Sequence, residues 1–305
     1  MSISSSAGRI SNAALSVIVF LLLIVALFVG LRAGSDYGNP GVLTRLENSA
    51  EKRRLTAVIQ ANLMSSAASE KSAVLADTDE ASKTFAEEAQ HATAAVEADR
   101  RVLGGLIEGG GIPDQVERMA SFNDCWGRYQ EADREILELA VENTNLKALR
   151  LSLGPATEAL ERMQSAMEQF LGNSGSVDVV RSAYRATNAA LRIHSLESKH
   201  IAEASDAGMD AIEAQMKAFD AQAGEAFAAL AAAADASLLP NVDTARNAYA
   251  EFQKINSEVL SLSRRNSNLR SLTLSLGQKR KVTAECQDRL NGLQESLAQE
   301  LSATR

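Results

Sequence analysis

The sequence predicts an all-α protein: an N-terminal transmembrane helix followed by two tandem antiparallel four-helix bundles. Three observations carry that expectation. Only 4 of the 305 residues are proline and 4% are aromatic, while Ala, Leu, Glu, Gln, Arg and Ser abound, which suits long helices and not sheets. One uncharged apolar run lies near the amino terminus. The rest of the chain repeats itself. The formal net charge of -8 gives no basic footprint, so nucleic acid is not among the expected partners. Two cysteines cannot build a disulfide framework or a thiolate metal cage, and 3 histidines leave little material for His-based catalysis.

The apolar run is Ala14 to Leu31, framed by Arg9 and Arg32. At about 1.5 Å per residue it is roughly 27 Å long, close to the thickness of a bilayer's hydrocarbon core. It is longer than the core of a cleaved signal peptide, the alternative reading, and no convincing cleavage site follows. Residues 1–34 are therefore expected to be a cytoplasmic tail and an uncleaved anchor. The short tail favours an exported body.

The repeat is clearest where Phe122–Gly154 aligns without gaps to Ala245–Gly277 at an offset of 123. Its core is NTNLKALRLSLG (143–154) against NSNLRSLTLSLG (266–277). Upstream the match is fainter, at an offset of 127: Glu70 with Glu197, Leu103 with Leu230, Pro113 with Pro240. Two modules follow, 41–172 and 176–305, joined by a hinge at GNSGS (172–176).

Each module reads as four helices. Asp77 and Glu80 suggest a capping box opening the second, and GLIEGGGIPD (105–114) breaks it from the third. Helix three shows Met119, Phe122, Trp126, Tyr129, Ala132, Ile136 and Leu139 at steps of three and four. Helix four shows a heptad-like seam of Leu146, Leu149, Leu153, Ala156, Leu160, Met163, Met167 and Phe170. A turn at Asn143–Asn145 makes the helices similar in length, which leaves Pro155 inside helix four as a kink.

SEKSAVLADTDE (69–80), the Trp126/Tyr129 helix and ILELAVENTNLKALRLSLG (136–154) together resemble the four-helix-bundle sensor domain of bacterial methyl-accepting chemotaxis receptors. Glu70, Lys71 and Leu75 carry the family's pattern near the end of helix one; Asn143 and Asn145 carry its Asn-rich turn. The second copy departs, with Ser198 where Lys71 stands. The resemblance implies a receptor of the bacterial inner membrane with its body in the periplasm, sensing small organic ligands; the one apolar run makes the expected protein single-pass, where the family has a second span. The resemblance also implies a homodimer and a signalling protein partner. No HAMP linker or signalling coiled coil follows, so the chain is either a truncated receptor or a stand-alone sensor.

Four antiparallel helices return the chain to its starting end, and the five hinge residues reach at most ~17 Å. The second module is therefore expected beside the first, imitating a receptor dimer; the alternative is end-to-end stacking, as in bimodular helical sensors. The turns after helices one and three then form a distal tip, acidic in copy one (Asp77, Asp79, Glu80, Glu142) and basic in copy two (Lys199, Arg264, Arg265, Arg270). Those charges either pair across the modules, select a ligand or are solvated helix ends.

The ligand-site candidates are Arg53, Arg54, Glu70, Lys71, Asn143 and Lys279. Arg53 and Arg54 could meet a carboxylate or be solvated. Asn143 sits where a cap is needed. Lys279 replaces Ala156 on the helix-four seam, so it snorkels, or meets an anion or a partner. Glu88–His91 and Glu197–His200 both spell Glu-x-x-His, the half-motif of a di-iron bundle, but on non-equivalent helices; no metal or other cofactor is expected. Cys125 and Cys286 fall on different helices of different copies and read as free thiols. No nucleophile–base pair or phosphate loop argues for an enzyme. The expected function is a membrane-anchored sensor; the alternative is an envelope scaffold that binds proteins through its helical surface.

Overall fold

The computed structural model describes residues 40–172 and 176–303, all-helical with no strand among them. The expected anchor, Ala14–Leu31, lies outside the described residues. Within them no helix is long and apolar enough to cross a membrane.

Helix α1 (Pro40–Leu75) runs from the base of the molecule to its waist, α2 (Asp79–Gly110) returns, and α3 (Pro113–Glu142) climbs again. The first reversal is capped at Thr78, one residue past the expected Asp77. Its hydroxyl oxygen accepts from Ala81 N at 3.1 Å. The second uses Gly111 at φ 62, a left-handed cap that suits glycine, with Pro113 opening the next helix.

The chain does not reverse at Asn143. A single left-handed residue (φ 49, ψ 38) separates α3 from α4 (Thr144–Leu151), where the α1–α2 reversal has three intervening residues. One residue is too short for a helical hairpin, so it bends the helix and lets it run on. Past a π-turn (Ser152–Ala156) the chain continues as α5 (Thr157–Leu171) into a second bundle with α6 (Val177–Ala202), α7 (Asp206–Ala233) and α8 (Leu239–Arg265). Asn266 (φ 51) repeats the bend, and α9 (Ser267–Leu274), a second π-turn (Ser275–Lys279) and α10 (Arg280–Ala303) run back into the first bundle.

Each bundle therefore takes its fourth helix from the other repeat. The basal core packs Leu55, Ile59 and Leu63 of α1, Val96, Leu103 and Ile107 of α2 and Phe122, Trp126 and Tyr129 of α3 against Leu290, Leu293 and Leu297 of α10. The distal core packs Met163, Met167 and Phe170 of α5 against Ile193, Phe227 and Phe252. The modules are stacked end to end, which corrects the side-by-side expectation. The hinge flanks sit at the far end, and α3 through α5 (Pro113–Leu171) spans about 90 Å. The turns expected at a distal tip lie at the waist instead.

The same exchange corrects the cysteine reading. Cys125 on α3 and Cys286 on α10 are neighbours, and they form a disulfide with Cα atoms 5.6 Å apart. Assigning helix four to its own repeat had separated them.

The π-turns correct the helix-four seam. Gln278 stands where Pro155 does, yet the wide turn recurs, so proline is not its sole cause. Each wide turn rotates the apolar stripe. Leu149 and Leu153 are 36% and 66% exposed, and Ala148 and Ser152 face inward in their place.

Candidate functional site: a polar layer built twice

The two bends meet at the waist and cap one another. Thr144 N donates to Ser267 Oγ at 3.0 Å, and Ser267 N to Thr144 Oγ1 at 3.0 Å. Asn145 N donates to Asn268 Oδ1 (3.1 Å) and Asn268 N to Asn145 Oδ1 (3.2 Å). Every pair is related by the repeat offset. Orphan amides at the start of α4 and α9 are thus satisfied reciprocally. Buried Asn143 takes part by accepting from Asn268 Nδ2 at 2.9 Å; its side chain caps no backbone amide, so its part is the left-handed bend and this cross-link, not the expected cap. The tip charges resolve here as well. Arg265 pairs with Glu142 across the modules at 2.6 Å, Arg150 with Asp79 at 3.6 Å, and Arg264 with Asp210 and Glu213 within its own bundle.

Just outside the waist each bundle buries a glutamate against a π-turn. In the distal bundle Ser152 Oγ donates to Glu197 Oε2 at 2.5 Å, with His194 Nε2 3.8 Å from that oxygen. In the basal bundle Glu70 lies beside Ser275 and Lys279, with neither carboxylate oxygen in a hydrogen bond. Burial pushes both carboxyls above their ordinary range, against the pull of the neighbouring serine in each case.

Beside Glu70, the basal bundle holds a closed polar network. Lys279 Nζ meets the Asp133 carboxylate and lies 3.5 Å from the centroid of the Tyr129 ring. Thr93 Oγ1 donates to Asp133 Oδ2 at 3.1 Å, and Tyr129 OH to Ser66 Oγ at 2.8 Å. Ser66 and Thr93 hydroxyls are 2.8 Å apart. Lys279 therefore does not snorkel; it is 1% exposed and ion-paired. Burial lowers its pKa, opposed by Asp133 and Glu70. Tyr129 is raised, by burial first and then by the Asp133 charge.

Of the six candidates, the structure brings Glu70 and Lys279 together and puts Asn143 at the waist. Lys71, Arg53 and Arg54 are exposed, and Arg54 pairs with Glu51 at 2.7 Å. Sequence reasoning missed Asp133 and Ser66, polar residues within apolar faces, which was the signal available. It also missed a cavity of about 590 Å³ at the base, lined by Arg45, Ser49, Lys52 and Gly109. There, buried Lys52 donates to Gln115 Oε1 at 3.1 Å, and the buried Ser49 hydroxyl has no partner. The Glu-x-x-His pairs do not converge. His91 and Glu88 face solvent, while His200 contacts Ser263 (2.8 Å) and Glu213 (2.9 Å). Among the described residues no cluster of His, Cys, Asp or Glu could hold a metal ion.

These features define a stacked pair of helical bundles that exchange a helix through a shared polar waist. No protein-family model and no curated protein matches the chain.

Proposed function

We propose that this protein is a membrane-anchored extracytoplasmic sensor of chemotaxis-receptor type, in which binding to a bundle shifts the packing of helices that continue into the other. The observation that carries this reading is the helix exchange. α8 runs from the distal end to the waist and continues through α9 and α10 to the base. A displacement in the distal bundle has a continuous element along which to reach the membrane-proximal end, and the wide turns are places where such a helix can yield. The disulfide supports an exported body, because such bonds persist in oxidising compartments such as the periplasm.

A second reading, an envelope scaffold that binds proteins, is favoured by Leu153 and Leu276. These equivalent leucines are 66% and 54% exposed. Thermal denaturation of the purified chain against a panel of organic acids, amino acids and amines separates the two. A saturable rise in melting temperature with any member supports the sensor. A flat response across the panel, with an envelope complex co-purifying, refutes it in favour of the scaffold.

A further inference from the structure

The repeat lets one bundle be read against the other. By the offsets of 127 (helices one and two) and 123 (helices three and four), Ser66, Thr93, Tyr129 and Asp133 correspond to Ile193, Asp220, Phe252 and Asn256. Those four basal residues form the network around the Lys279 ammonium. Their four counterparts line one open cavity of about 490 Å³ between α7 and α8. Where Lys279 stands in the basal bundle, the distal bundle has Ala156. One bundle thus fills this layer with its own alkylammonium side chain; the other keeps a carboxylate (Asp220), an amide (Asn256) and a ring (Phe252) at the matching positions, has alanine in place of that lysine, and is open.

The chemistry of the cavity is that of an ammonium site. Asn256 Oδ1 is buried without a hydrogen-bond partner and stands where Asp133 meets Lys279. Phe252, the counterpart of Tyr129, lines the same cavity, and Asp220 supplies a carboxylate whose Oδ1 accepts from Tyr249 OH at 2.7 Å and from Gln253 Nε2 at 2.5 Å, leaving Oδ2 for a ligand. The other charges at the rim are accounted for. Asp210 and Glu213 are held by Arg264, and Lys217 lines the mouth. Ile193, Met216 and Leu260 supply apolar wall for a short alkyl chain.

The geometry points to a binding site for a small primary alkylammonium compound in the distal bundle, in the cavity lined by the counterparts of the residues that surround Lys279 in the basal one. Its role as an input rests on the sensor reading; its existence does not.

The test is calorimetric titration of the purified full-length chain with n-butylammonium, the lysine side chain as a free molecule, and with 1-butanol as its neutral counterpart. The expected result is one saturable site for butylammonium and none for butanol. Asp220→Asn weakens it about tenfold or more, and Asn256→Asp, which restores the basal carboxylate, tightens it about tenfold. Helical circular dichroism confirms that each variant is folded, and Asn256→Asp decides the matter should Asp220→Asn not fold. Absence of saturable binding through the millimolar range, equal binding of butanol, or affinity indifferent to Asn256→Asp overturns the site. Failure here together with a melting shift from another compound class leaves the sensor reading standing; a flat response to every class removes both.

Discussion

Replacing Cys125 and Cys286 by alanine should cost about 5 kcal/mol of unfolding free energy, nearly all of it through the unfolded chain. The bridge joins residues 161 apart in sequence, and closing a loop of that length removes enough entropy from the unfolded ensemble for about 5 kcal/mol at 25 °C. Folded-state losses are small by comparison, because alanine retains most of a cysteine's packing and both positions are buried in a core that Trp126, Leu290 and Leu293 still fill. Urea unfolding followed by circular dichroism, wild type against the double alanine variant, measures the difference. The midpoint should fall sharply, and wild type unfolded in reductant should coincide with the variant. Reductant without urea should act slowly, since both sulfurs are inaccessible in the fold. A double variant within about 1 kcal/mol of wild type would refute the loop-entropy reasoning and the pairing of α3 with α10 on which it rests.

Lys279→Met strands Asp133 as a buried, uncompensated carboxylate and should destabilise by about 3–5 kcal/mol, whereas the double change with Asp133→Leu should recover most of that; equal losses in both would show the pair to be unimportant. Glu70 and Glu197 have raised pKa values in the fold, so their protonated forms favour folding. Their contribution is greatest below the unfolded carboxyl pKa of about 4.3 and is lost as pH climbs through the folded values. Glu70→Gln and Glu197→Gln should therefore flatten the fall in stability above that pH and raise the melting temperature at neutral pH, which a pH series of thermal melts checks. Residues 40–172 expressed alone leave Met163, Met167 and Phe170 of α5 without the distal helices they pack on, and should not give a cooperatively melting monomer; light scattering that found one would contradict the helix exchange.

Helix content, the duplication and the buried face of α3 were legible because each depends on local periodicity, which survives in one sequence. Direction at Asn143 was not. An Asn-Thr-Asn stretch can leave the helix for several residues and turn a hairpin, or for one residue and bend a rod, and the choice is made by what the far side offers. Here that is the Thr144–Ser267 and Asn145–Asn268 exchange, which involves residues 123 apart. Everything downstream of that choice moved with it: the stacking, the position of the hinge and the cysteine partners. Glu70 and Lys279 stood out because charges on apolar faces demand partners. Their neighbours did not, since Ser275 and Lys279 reach Glu70 and Asp133 only through the bend at Asn266 and the π-turn at Ser275–Lys279.

The crossed helices also bear on what the two halves are free to become. Identical chains assembled about a twofold axis must carry every substitution twice. A single polypeptide that reproduces such an axis internally escapes that rule while keeping the interlock that holds the halves in register. Ala156 opposite Lys279, and Asn256 opposite Asp133, are differences of that kind: one compartment sealed from within, its sibling left hollow, on scaffolding neither can shed.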